Sequence, residues 1–341
     1  MFTIKTDYFD LKKIMDSGQV FRFYEPTPGE FVVYSENRRL ELKQKGREVT
    51  FMCDKKEYEE YWETYFDLKR DYGIIVKLAE KQILQENSGS GRSDSCKGTP
   101  GDAFLASACR FASGIRILKQ DVWEMMISFI ISQQKQIPSI RKCIEALCER
   151  FGERHEDTGD KDSLGISGKK AGIVWYGFPT AVSIASAGPA GLKGLSLGYR
   201  ERYIYETAVK YISEGFDGSS LSDMSYEDAK KYLCSFFGIG EKVADCVCLF
   251  GGGFTDAFPI DVHIKDILYR EFIPEKEKAR IEKTLKTRLG TDDIPRKKLL
   301  DSISYAEYSK VIDGAFSAYK GTRGIVQQWI FAYEIYKTPR Q

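Results

Sequence analysis

The chain has 341 residues, 42% hydrophobic and 30% charged, with a formal net charge of +1. That balance excludes a disordered or collagen-like chain and predicts a soluble globular protein of two or three domains. With 51 basic residues against 50 acidic ones, no bulk polycation exists, so a grip on nucleic acid would rest on local backbone N–H groups and a few cations.

The first residues, MFTIKTDYFD, lack the basic-then-apolar pattern of a signal peptide, and no apolar run reaches the ~18 residues of a membrane span. The expectation is an intracellular protein with no membrane partner: in the cytoplasm or nucleoid if bacterial or archaeal, in the nucleus if eukaryotic. Eight cysteines (Cys53, Cys96, Cys109, Cys143, Cys148, Cys234, Cys246 and Cys248) contain no Cys-x2-Cys pair and suggest no disulfide framework. Cys143, Cys148 and Cys246 fall on helical patterns, where a reduced, buried thiol is expected. His155 and His263 are the only histidines, too few for a histidine-rich zinc site.

In chain order, SGQVFRFYE (17–25), EFVVYSEN (30–37), RRLELKQK (38–45) and REVTFMC (47–53) read as short strands broken by Pro, Gly or Asn. They predict an antiparallel sheet with some helix. Residues 58–80 read as helix, and 86–102, rich in Gly and Ser, as a flexible polar loop. From Asp121 the pattern is helical to the end. In 121–134, Trp123, Met126, Ile127, Ile130 and Ile131 recur at core-face spacing. Residues 137–152 form a second amphipathic helix, with Pro138 in its first turn and Gly152 as its stop. Helices follow at 178–187, 199–215 and 225–236, where Ser225 and Asp228 form a weakened capping box. The last are at 308–319 and 324–337.

The chemistry concentrates between Leu233 and His263. Gly238-Ile239-Gly240 makes a tight turn between two helical patterns, a hairpin over 226–250, and a glycine turn opening a helix presents backbone N–H groups to a phosphate. With the second helix starting near Glu241, Lys242 and Cys246 share one face, beside Leu249 and Phe250. A lysine desolvated by such a rim is a stronger nucleophile; the bland alternative is a solvated helix lysine. Asp261, 19 residues after Lys242 in Pro259-Ile260-Asp261-Val262-His263, is at once a candidate N-cap and a fixed carboxylate able to stabilise positive charge. His263 then lies in a first helical turn, within reach of a phosphate.

SGQVFRF, GIRILKQDVWE, SFIISQQKQI, YGFPT, LGYRERY, GIGEKVADCVCLF, PIDVH and GIVQQWIF together resemble the 8-oxoguanine DNA glycosylase/AP lyase branch of the helix-hairpin-helix (HhH-GPD) glycosylase superfamily, over nearly the whole chain. The resemblance implies an α+β protein: a twisted antiparallel β-sheet domain (TBP-like) over 1–118, then a mostly α-helical catalytic domain over 119–341. It implies a monomer acting on double-stranded DNA that contains an oxidised purine. Lys242 would be the Schiff-base nucleophile and Asp261 its carboxylate partner. Gly18 would present the backbone carbonyl that separates 8-oxoguanine from guanine. Phe331 and Cys246 would sandwich the base, and Gln327, with Pro259 nearby, would meet its Watson–Crick edge. Tyr199 would wedge into the stack, Gln134 would fill the vacated space, and Arg200 and Arg202 would flank the wedge, Arg200 against the orphaned cytosine. Gly238, Gly240 and His263 would hold phosphates, with a monovalent cation at the hairpin carbonyls.

No metal site and no organic cofactor are expected. No cysteine follows Cys248, which rules out the iron–sulfur cluster that some relatives carry after the aspartate. Two departures stand out. Gln133-Gln134-Lys135-Gln136 replaces the asparagine-rich run of the vertebrate type, and Ser139 replaces an arginine that contacts the opposite cytosine. Loss of that fork of donors predicts a weaker preference for cytosine. A monofunctional alkylbase glycosylase and a non-catalytic hairpin DNA-binding protein are the alternatives; neither needs Lys242.

Overall fold

The computed structural model describes residues 1–87, 101–157 and 172–337. Most of the Gly/Ser-rich segment at 86–102, with Cys96, therefore lies outside the described residues. The chain forms two compact units, each assembled from two stretches of sequence: 1–70 with 114–257, and 71–113 with 258–341.

The first unit begins as an antiparallel sheet. Strands β1 (Phe2–Lys5), β2 (Phe23–Thr27), β3 (Glu30–Ser35), β4 (Arg38–Lys45) and β5 (Glu48–Phe51) lie in the order β1-β5-β4-β3-β2. Register pairs Val33 with Leu40 and Leu42 with Phe51. Because side chains alternate faces, Phe31, Val33, Leu40, Leu42, Val49 and Phe51 all point to one side and are buried. Over them pack the Leu11–Asp16 helix and a helical run made of Lys55–Glu57, the π-turn Tyr58–Trp62 and Glu63–Tyr65. Trp62, Tyr65 and Phe66 seal that side.

Two expectations fail here. The segment 17–25 is a strand only from Phe23 onward, because Gly18 takes φ +81 and the Gln19 side chain is consumed by other backbone groups. The single helix over 58–80 is two, broken where Asp67 adopts φ +49; the second runs Tyr72–Asn87 and belongs to the other unit.

The chain re-enters the first unit at Gly114, whose carbonyl accepts from Asp10 N at 2.9 Å. Arg116, buried, staples this junction: its guanidinium donates to the carbonyls of Asp7, Tyr8, Asp67 and Arg70 at 2.7–3.1 Å. Asp121 then caps the Val122–Ser132 helix, accepting from Glu124 N at 2.8 Å. Residues 122–131 are buried on every face, so this is the unit's central helix rather than an amphipathic one. Around it stand Ile137–Phe151, Ala181–Gly191, Arg200–Ser213, Tyr226–Leu233 and Glu241–Phe250.

The expectation of unbroken helix after Asp121 is corrected by a two-stranded antiparallel sheet, β6 (Arg154–Asp157) with β7 (Ile173–Tyr176). The β-branched and aromatic run Ile173-Val174-Trp175-Tyr176 suits a strand, and Trp175 stacks on His155 at 4.1 Å.

The second unit is helical throughout its described residues. Asp102–Ala112 and Tyr72–Asn87 pack with Arg323–Lys337, through Phe104 against Tyr333 and Tyr72 against Trp329. Val262–Ile267, Glu275–Leu289, Arg296–Asp301 and Tyr305–Ala315 complete it. Ser304 and Glu307 form a full capping box on the last. Gly101 is required where it stands: a Cβ there would lie 2.2 Å from the Phe272 ring. Among the described residues no helix is long and apolar enough to cross a membrane.

Candidate active site and nucleic-acid interface

The hairpin consists of the Tyr226–Leu233 and Glu241–Phe250 helices, with the expected glycine turn between them. Ser225 accepts from Asp228 N at 3.1 Å, but the short Asp228 side chain accepts from the serine hydroxyl at 2.7 Å, so only half a capping box forms. Asp245, fully buried, ties the two helices by accepting from the Tyr226 hydroxyl at 2.5 Å and the Lys230 ammonium at 3.0 Å. Gly238 has φ +91, and a Cβ on it would meet Tyr203 Cγ at 2.4 Å. Its carbonyl accepts from Gln133 Nε2 at 2.9 Å. Gly240 precedes the second helix, exposed, with open space where a Cβ would stand and no side chain capping the helix. A bare helix start in open space suits an anion, since its first N–H groups lack intrahelical partners.

Lys242 lies in the first turn of that helix and is half-buried. Its Nζ stands 5.1 Å from the centre of the Phe129 ring. Phe129 is itself fixed, stacked on Phe250 at 5.6 Å and edge-on to Phe21 at 5.6 Å. The ring thus shields one side of the amine from water and limits its hydration. Cys246, one turn further on, is buried.

Gly18 is half-buried with φ +81, and neither its N–H nor its C=O has a hydrogen-bond partner among the described residues. Its neighbours are held. The Ser17 hydroxyl donates to Ile14 O at 2.7 Å and accepts from Gln19 Nε2 at 2.9 Å. Gln19, fully buried, also donates to Arg116 O at 2.9 Å and accepts from Leu118 N at 2.8 Å.

Tyr199 is 48% exposed and ends just before the Arg200–Ser213 helix, edge-on to Tyr203. Gln134 is exposed with φ +51, in the turn after the central helix. Arg200 is buried and connects the two: its Nε and Nη2 donate to Gln133 O, its Nη1 donates to Leu197 O at 3.0 Å, and its guanidinium lies 4.4 Å from the Tyr199 ring centre. Arg202 is exposed, over the ring of Phe237 at 4.8 Å. Ser139 is exposed.

The remaining candidates are in the second unit. Asp261 caps the Val262–Ile267 helix, accepting from Ile264 N at 2.9 Å, so its carboxylate is held in place. His263 is exposed in that helix's first turn, its ring edge-on to the half-buried Phe331 at 6.1 Å. Gln327 is buried; its Nε2 donates to Pro259 O at 3.2 Å, while its Oε1 is buried without a partner among the described residues. Among the described residues no group of three or more His, Cys, Asp or Glu side chains is arranged to hold a metal.

Phe129, against the lysine, and two buried glutamines behind the site, Gln19 and Gln120, were not singled out from sequence. Their signal is weak. Phe129 is one apolar residue in an apolar helix, and the glutamines show only as polar residues beside apolar runs.

Two family models match in succession. One, described as the 8-oxoguanine DNA glycosylase N-terminal domain, covers residues 1–126, and one, described as HhH-GPD superfamily base excision DNA repair protein, covers 127–290. The N-glycosylase/DNA lyase of Saccharomyces cerevisiae is 35% identical over an alignment 211 residues long that covers 58% of this chain and 53% of that protein. A probable N-glycosylase/DNA lyase of Methanothermobacter thermautotrophicus is 42% identical over an alignment 187 residues long that covers 49% of this chain and 55% of that protein. The chain spans about half the length of the curated relatives it matches. The apo-form 8-oxoguanine glycosylase/lyase of Clostridium acetobutylicum superimposes at a TM-score of 0.69, with 26% identity, over 96% of this chain and 94% of that one.

Proposed function

Because the chain belongs to the helix-hairpin-helix base-excision repair superfamily and carries the 8-oxoguanine glycosylase N-terminal domain, we propose that it is a bifunctional DNA glycosylase/AP lyase. It removes 8-oxoguanine from double-stranded DNA and then nicks the strand. The observation that carries this reading is the setting of Lys242, an amine half-buried on an aromatic ring in the first turn of the hairpin helix. A clamp for phosphate alone needs no amine there.

Duplex DNA hides the bond to C1′, so the damaged nucleotide must leave the stack. The uncapped start of the Glu241–Phe250 helix holds a backbone phosphate without reading sequence, and His263 adds to the grip; the hairpin carbonyls would hold a monovalent cation, whose charge would offset that of the phosphate. Tyr199 wedges into the stack and Gln134 takes up the vacated space. Arg200 holds the Gln133 carbonyl with two of its N–H groups and the Leu197 carbonyl with a third; the others remain for the orphaned cytosine, with Arg202 on the flank.

The base is then read from two sides. The N7 of 8-oxoguanine carries a hydrogen, whereas guanine N7 is a lone pair, so the unpartnered Gly18 carbonyl attracts one and repels the other. Gln327 Oε1, buried and lacking a donor, suits the N1–H of a guanine-type base; an adenine edge presents a lone pair there. Phe331 and Cys246 close on the two faces.

The neutral amine of Lys242 attacks C1′ as the C1′–N9 bond breaks and the base leaves with the electron pair. Asp261 stabilises the cationic sugar and takes up the proton that the amine releases. Ring opening gives a Schiff base; loss of a C2′ proton then expels the 3′ phosphate by β-elimination. These steps require neither a metal nor an organic cofactor.

Borohydride trapping on an 8-oxoguanine:C duplex tests the reading, with the wild type beside Lys242→Gln. A covalent adduct in the wild type alone is the expected result. Base release without an adduct would make the enzyme monofunctional; tight binding with neither would leave a binding module.

A further inference from the structure

The specificity loop and the nucleophile's helix are joined by a short hydrogen-bonded path. The Gln120 side chain donates from Nε2 to Gln19 O at 2.9 Å. The Gln120 backbone N donates to Phe250 O, the last residue of the Lys242 helix, at 2.8 Å. Both glutamines are buried, Gln19 at 0% exposure and Gln120 at 6%. Gln19 in turn holds Ser17 on the far side of Gly18 through its own amide, and it is pinned to Arg116 O and Leu118 N.

Gly18 is therefore a free peptide between two fixed ones. A glycine at φ +81 has no Cβ to stiffen its backbone, and nothing among the described residues bonds its carbonyl. A carbonyl that must repel one lone pair and accept one hydrogen has to be held to a few tenths of an ångström. The two glutamines supply that stiffness and refer it to the helix that carries the amine.

We propose that Gln19 and Gln120 form a clamp that positions the Gly18 carbonyl against the Lys242 helix, making them specificity-determining positioning residues that touch neither base nor sugar. The inference rests on the glycosylase reading above. Its distinguishing consequence is a split between two steps of one enzyme. Excision of 8-oxoguanine depends on the Gly18 carbonyl; nicking of a preformed abasic site, which has no base to read, does not.

The test uses Gln120→Met, which keeps the side-chain length and the backbone bond to Phe250 but removes the donor to Gln19 O. Single-turnover excision on 8-oxoguanine:C and guanine:C duplexes is measured beside borohydride trapping on an abasic-site duplex. The clamp predicts roughly tenfold loss of 8-oxoguanine over guanine discrimination, the worth of about one hydrogen bond, with abasic trapping within about twofold of wild type. Equal losses on the base-bearing and abasic substrates would reduce Gln120 to a core residue and overturn the proposal, as would unchanged discrimination. Should Gln120→Met not fold, Gln19→Met is read by the same criteria. A wild type that traps no adduct and excises no 8-oxoguanine overturns the glycosylase reading itself, and the clamp with it.

Discussion

Gly238→Ala is the sharpest perturbation of the hairpin. Two separate costs act at this position. At φ +91 a Cβ is in the left-handed region, costing about 1–2 kcal/mol. The same Cβ would stand 2.4 Å from Tyr203 Cγ and 2.7 Å from Tyr203 Cβ. Neither atom is the end of a flexible side chain, so backbone must move, at about 1–3 kcal/mol for an overpacked site. The sum, about 2–5 kcal/mol, corresponds to a fall of roughly 4–20 °C in the melting of a unit this size. The displaced turn also misaims the first N–H groups of the Lys242 helix, so affinity for duplex DNA falls with it. Calorimetry and fluorescence anisotropy with a labelled duplex read the two effects. Repeating Gly238→Ala in a Tyr203→Gly background, which removes the Tyr203 Cβ as well as its ring, separates the causes: the clash disappears, the φ cost remains, and the loss shrinks to about 1–2 kcal/mol. Equal losses in both backgrounds, or a Gly238→Ala protein melting within about 2 °C of wild type, would refute the account.

Two further outcomes follow from buried polar groups. Burial pushes the Glu124 carboxyl up to about 7, against the opposing pull of Arg22, and burial pushes Asp121 to about 6. A carboxyl with a raised folded-state pKa favours the folded state below its unfolded value and loses that contribution as pH rises through the folded one. For Glu124 the window runs from about 4.5 to about 7 and is worth up to ~3 kcal/mol. Glu124→Gln keeps an acceptor for Glu36 N, so its melting temperature should decline less than wild type between pH 5 and pH 8; parallel declines would dismiss the effect. Arg116→Lys replaces a fork that reaches four carbonyls with a single ammonium. A loss of about 2–4 kcal/mol in urea unfolding is expected, and a loss under ~0.5 kcal/mol would show the staple to be dispensable.

Much of the fold was legible because local pattern and tertiary outcome agree there. β4 spans the residues predicted for it, since Leu40 and Leu42 alternate with polar neighbours and the run ends at a glycine turn. The hairpin was legible because two helical patterns flank a turn that needs glycine. Where pattern and outcome part, a nonlocal cause is visible. Phe66–Asp71 carries no Pro or Gly to announce a break; the helix stops because Asp67, in left-handed backbone, offers its carbonyl to Arg116 from 49 residues away. β1 is only four residues long, and its pairing with β5 is set by a partner more than 40 residues on. β6 and β7 lack the two-residue turn by which a hairpin declares itself.

The site divides along the same line. Lys242, Gly238 and Asp261 announce themselves because backbone rules constrain them: a helix start, a positive φ, an N-cap. Each such rule involves a few consecutive residues, and one chain displays it. The setting that makes the lysine useful is different in kind. Phe129 lies 113 residues before Lys242, and the bond from Gln120 to Gln19 spans 101. No periodicity encodes a contact between two helices or between a loop and a strand end; only packing does. Residue type still narrows what to look for. A glutamine with no exposed surface must satisfy a donor pair and an acceptor, or strand one at a cost of about 1–3 kcal/mol. Gln19 satisfies all of its side-chain groups within the protein, whereas Gln327 leaves Oε1 without a donor among the described residues. Among buried polar residues, then, those with complete bonding are expected to hold other groups in place, and those with an unfilled acceptor are expected to meet the substrate.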